Sequence, residues 1–61
     1  MSELLERTFR LLAYNVGEGV FTDEEEDIII ELEEGYREGL GVTPADLLWL
    51  VQKLKEVGEN V

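Results

Sequence analysis

Apolar residues recur along this chain at spacings of three, four and seven, and two glycine-bearing breaks divide that rhythm into three predicted helices. Leu5, Phe9, Leu12 and Val16 follow i, i+4, i+7 and i+11, one face of a helix over about residues 3–15. Ser2 stands at the N-cap position. Glu3–Arg7 and Glu6–Arg10 are i, i+4 pairs in the favourable order, each worth about 0.2–0.5 kcal/mol. Gly17-Glu18-Gly19 ends the pattern, because glycine enters the left-handed region without steric cost.

The second helix is expected over residues 23–39. Thr22 and Glu25 form a T-x-x-E capping box, and the acids of Asp23 to Asp27 suit the positive end of the helix dipole. Ile28, Ile29, Leu32, Tyr36 and Leu40 make its apolar stripe. Gly35 and Gly39 each cost about 1 kcal/mol against alanine inside a helix, so they either fray its end or admit a close neighbour. The third helix, over 44–57, has Thr43 as N-cap, Pro44 at the first position and Asp46 at the third, with Gly58 as its stop. Its stripe reads Leu47, Leu50, Val51 and Leu54.

The expected fold is therefore all-α and one domain over residues 1–61: a small three-helix bundle, or a helical hairpin plus an N-terminal helix, with dimerisation open. The expected buried set is Leu5, Phe9, Leu12, Ile28, Leu32, Tyr36, Leu47, Val51 and Leu54.

A chain of 61 residues buries only about 60% of its unfolded surface, so its stability margin is small. It has no cysteine and no histidine, which removes disulfides, thiolate metal sites and the commonest general base. No phosphate-binding glycine loop is present, and Ser2 is the only serine. These gaps predict a non-enzyme without cofactor or metal. An EF-hand loop beginning at Asp23 would need glycine at its sixth position, where Ile28 stands. No signal-peptide or membrane-span pattern occurs, and a cytoplasmic protein is expected.

Charge changes the picture most. The net charge is -10, and the segment 22–42 alone holds nine acids against Arg37. That balance disfavours direct nucleic-acid or membrane binding and favours a protein partner with a basic surface. At about 100° per residue, Asp23, Asp27, Glu31, Glu34 and Glu38 point away from the apolar stripe, with Glu26 and Glu33 on its flank. Glu25 falls inward, where capping accounts for it. The ridge spans about 22 Å, with a carboxylate density comparable to the ~3.4 Å phosphate spacing along a DNA strand. A solvated face, or adaptation to high salt, predicts the same run. Glutamates outnumber aspartates twelve to three, which suits helix propensity as well as mimicry.

Two apolar residues fall outside the stripes. Ile30 points about 130° from the core face of the second helix, and Trp49 points nearly opposite Leu47, Val51 and Leu54. Tryptophan is enriched at interface hot spots. The expected partner-binding set is Glu26, Asp27, Ile30, Glu31, Glu33, Glu34, Arg37 and Trp49.

From Phe21 onward, an acid-capped helix, Gly41-Val42-Thr43 and a second capped helix resemble in order a ribbon-helix-helix DNA-binding module, over about half the chain. That family places a strand with basic or polar readers before its first helix. Asn15 to Phe21 is broken by glycine and has no basic residue, and the helix opened by Thr22 is about one turn too long. The resemblance implies at most a two-helix dimerisation unit that does not read DNA. Two function classes remain. One is an acidic protein-binding module, an inhibitor or regulator of a basic nucleic-acid-handling protein. The other is a self-associating structural subunit, a homodimer using Trp49 and Leu48.

Overall fold

The computed structural model describes residues 3–59 and consists of three helices: α1 (Glu3–Tyr14), α2 (Asp23–Arg37) and α3 (Pro44–Glu59). The expected cap Ser2 lies outside the described residues. No strand precedes α2 among the described residues, so the ribbon of the ribbon-helix-helix order is missing.

The helix boundaries follow from local chemistry. At the start of α2 the Glu25 N–H donates to Thr22 Oγ1 (3.1 Å) and the Thr22 N–H donates to Glu25 Oε1 (2.8 Å), closing the capping box. At the start of α3 the Asp46 N–H donates to Thr43 Oγ1 (3.1 Å). The end of α2 comes earlier than expected. Gly39 takes φ +88°, its N–H donates to Tyr36 O (3.1 Å), and the Leu40 N–H donates to Gly35 O (2.9 Å). This is a Schellman ending, with Gly39 as the left-handed residue that satisfies the last carbonyls. Leu40 is consequently past the helix, 77% exposed, and not part of its apolar stripe. Gly58 does not stop α3, which continues to Glu59.

Side-chain contacts give the helix directions. Arg37 at the end of α2 meets Glu6 near the start of α1 (3.1 Å), while the Gly17 N–H after α1 donates to Glu26 at the start of α2 (2.7 Å). α1 and α2 are thus antiparallel. Lys53 in the second half of α3 reaches Glu25 (2.6 Å), so α3 also opposes α2 and runs with α1. α1 packs against both other helices. The result is a compact up-down-up bundle.

Phe9, Leu12, Ile29 and Leu50 are fully buried at its centre, with Phe21 and Val57 nearly so. The Phe9 and Tyr36 rings pack at 5.2 Å with a 33° tilt. Leu5, Leu32, Tyr36 and Trp49 pack half-buried around this centre. Thr8 is buried too, its hydroxyl satisfied by Leu4 O (2.8 Å).

Four expected core residues are not in the core: Ile28, Leu47 and Val51 are exposed at 40%, 44% and 41%, and Leu54 is half-buried outside the packed cluster. Their neighbours Ile29 and Leu50 take those places. In α3 the buried line is Leu50, Lys53 and Val57, which turns the inward face about 80° from the most apolar arc. The physical reason is Lys53. A lysine on the inward line is tolerated because its ammonium is paired, and its four-carbon stem packs like an apolar side chain.

Candidate partner-binding surface

The nine acids of residues 22–42 divide into two groups with different work. Glu25, Glu26 and Glu33 lie on the inner side and flanks of α2 and are half-buried. Glu25 and Glu26 join α2 to other parts of the chain, and Glu33 holds the arginine that reaches α1. Glu25 caps its own helix through Oε1 and receives the Lys53 ammonium on Oε2 at 2.6 Å. Glu26 accepts the Gly17 N–H and fixes the α1–α2 connection. Glu33 and Glu6 both bind Arg37 at 3.1 Å, tying α1 to the end of α2. Glu6 and Glu33 also raise the pKa of the guanidinium, keeping its charge secure.

Lys53 is only 8% exposed and also meets Glu56 at 3.2 Å. The Glu25 carboxylate raises its pKa, while the Lys53 ammonium and then the Thr22 backbone N–H lower that of Glu25. Both shifts favour the charged pair, which is how a carboxylate–ammonium contact persists at the edge of an apolar core.

The second group faces outward. Asp23, Glu24, Asp27, Glu31, Glu34 and Glu38 are all exposed. At about 100° per residue they occupy one arc of about 100° opposite Ile29 and Tyr36, over about 22 Å. Among the described residues, the cations of the inter-helix pairs, Arg37 and Lys53, are committed to the inner carboxylates and Glu6 and Glu56. The outward acids are instead each other's neighbours. Asp23–Asp27, Asp27–Glu31 and Glu34–Glu38 are like charges at i, i+4, and Glu31–Glu34 at i, i+3. Each such pair destabilises a helix by about 0.2–0.5 kcal/mol.

The expected binding set is therefore only partly brought together. Asp27, Glu31 and Glu34 share the outward arc, with Ile30 on its border and 41% exposed. Glu26, Glu33 and Arg37 are occupied by contacts within the fold. The expected orientation of Trp49 is corrected. It does not point away from the core but packs against it, with the Lys53 ammonium 5.3 Å from its ring centroid. The same rotation of α3 that buries Lys53 turns Trp49 inward. Glu24 is an outward acid that the ridge reading passed over, although its helical position beside Glu31 was available from spacing alone.

An open cleft of about 460 Å³ lies between Leu5, Tyr36, Gly39, Gly41 and Val42. Among the described residues that line it, Tyr36 carries the one polar side-chain group. Among the described residues no group of three or more acidic side chains is placed to hold a metal ion, and no helix is long and apolar enough to cross a membrane. No known protein family, curated protein or solved structure matches this chain.

Proposed function

We propose that this chain is an acidic protein-binding module whose outward α2 face occupies a basic surface of the kind that grips nucleic acid. The observation that carries this reading is the run of like-charged neighbours from Asp23 to Glu38, exposed and without interleaved cations on the outward arc. A face that serves solubility alone is better built from both signs, since i, i+4 acid–base pairs stabilise a helix where like pairs weaken it. Six carboxylates over about 22 Å give one per about 4 Å, near the ~3.4 Å phosphate repeat of a strand. The role is recognition, as an inhibitor or regulator rather than an enzyme, and a cytoplasmic setting suits it.

Matched baits test this in native lysate at low salt. Wild type should retain proteins that about 0.5 M NaCl releases, because exposed charge pairs are screened at that strength. Glu31→Gln/Glu34→Gln should retain several-fold less, whereas Glu3→Gln/Glu18→Gln, of equal net charge, should retain as much as wild type. Duplex DNA added as competitor should release the retained proteins. Equal loss from both variants reduces the ridge to bulk charge, and indifference to DNA removes the nucleic-acid-type groove from the proposal.

A further inference from the structure

The side of the bundle opposite the acidic helix has a different character. Glu6 on α1 and Lys53 on α3 mark the sides of those helices that face α2, through their contacts with Arg37 and Glu25. At about 100° per residue, Leu4 and Leu11 lie about 160° and 140° around α1 from Glu6. Leu47, Leu48 and Val51 lie about 120–160° around α3 from Lys53. All five are exposed, from 41% at Val51 to 71% at Leu4. Because α1 and α3 are parallel and packed together, these residues form one face across the pair. The charged residues in the same arcs are Arg7 and Lys55. In a chain of net charge -10, the acid nearest these arcs is Glu59 in the last turn of α3, about 120° around the helix from Lys53.

We infer that this face binds a second copy of the chain, pairing α1 and α3 of one protomer with α1 and α3 of the other. Two features select that occupant. A two-fold arrangement places the two acidic helices on opposite outer surfaces, as far apart as the bundle permits, so the dimer forms through the one side where the charge of each copy opposes it least. The area also fits. Helices about 18 and 24 Å long, each about 10 Å across and 8–10 Å apart, present roughly 400 Å² in projection. That projection is about half of the ~800 Å² per partner of a standard interface, which suits a weak, concentration-dependent dimer. Association is also a usual aid for a chain too short to build a large core of its own. Trp49, turned to its own core, is outside this interface. The dimer displays two copies of the α2 ridge, and it stands whether or not the ridge has the partner proposed above.

Sedimentation equilibrium over about 1–500 µM tests it at about 0.05 and 0.5 M NaCl. The expected result is a monomer–dimer equilibrium that tightens with salt, since screening relieves repulsion between like-charged copies. Leu4→Glu/Leu48→Glu, at two highly exposed positions, should weaken it at least tenfold with unchanged helical circular dichroism. Leu40→Glu, equally exposed but off this face, should leave it unchanged. A monomer throughout the range overturns the inference, as does a dimer that weakens with salt or survives Leu4→Glu/Leu48→Glu. A monomer that loses a heterologous protein on Leu4→Glu/Leu48→Glu assigns the face to another chain and equally overturns it.

Discussion

Ile29→Ala should remove a large part of the fold's stability, whereas Ile28→Ala and Ile30→Ala on either side should be nearly silent. Ile29 is fully buried among Phe9, Leu12 and Leu50, while Ile28 and Ile30 are 40% and 41% exposed. Truncating a buried isoleucine removes its transfer free energy and leaves a cavity, together about 2–5 kcal/mol. A 61-residue chain sits at the low end of the usual 5–15 kcal/mol stability, so that loss is a large part of the whole. Surface truncations away from special contacts stay within about 0.5 kcal/mol. Val51→Ala belongs with the silent pair. Urea midpoints followed by circular dichroism measure all four. A loss at Ile28 or Val51 equal to that at Ile29 would restore the face assignments that the apolar stripes suggest.

Lys53→Met should give the second-largest effect, and its pH dependence identifies the cause. Methionine keeps most of the stem volume but removes the ammonium shared by Glu25 and Glu56 and poised over Trp49. Hydrogen bonds to charged groups contribute about 1.5–3 kcal/mol each, and partial exposure of Glu25 and Glu56 lowers that, so a total loss of about 1–3 kcal/mol is expected. Glu25 has its pKa lowered from 4.5 in the fold, so its contribution is present above that value and lost as pH falls through the lower folded one. Lys53 has its pKa raised from 10.5, so its contribution is present below 10.5 and lost as pH rises through the higher folded value. The stability gap between wild type and Lys53→Met should therefore be level between the two ordinary values and shrink outside them. A gap that stays constant through the acid limb would mean that pairing with Glu25 is not what Lys53 contributes.

Much of this fold is legible from short-range chemistry. Thr22 with Glu25, and Thr43 with Pro44 and Asp46, place the starts of α2 and α3 because a cap is a local hydrogen-bonding arrangement. The facing of α3 is not legible in the same way. Leu47, Val51 and Leu54 outweigh Leu50, Lys53 and Val57 in hydropathy, and nothing local indicates that Lys53 finds Glu25, 28 residues away, and can enter the core with it. The misplacement of Trp49 follows from that one error. On α2, spacing alone places Glu31 and Glu34 outward and Glu26 and Glu33 on the flank. It does not show that the flanking pair is occupied, because the Gly17 N–H and the Arg37–Glu6 contact come from outside the helix.

That separation is the centre of the account, and thermal unfolding at low salt tests it without any partner. One variant carries Glu25→Gln, Glu26→Gln and Glu33→Gln, and the other Asp27→Asn, Glu31→Gln and Glu34→Gln. Both remove three negative charges, so net charge cannot distinguish them. The inner variant should melt below wild type, because it loses the Lys53 and Arg37 ion pairs and the charge on the acceptor of the Gly17 N–H, although glutamine still closes the cap. The outer variant should melt at or above wild type, since it relieves like-charge neighbours, and this gain should vanish near 1 M NaCl, where the screening length is about 3 Å. An outer variant that melts as low as the inner one would make the ridge part of the fold's own support and contradict its assignment as a surface free for a partner.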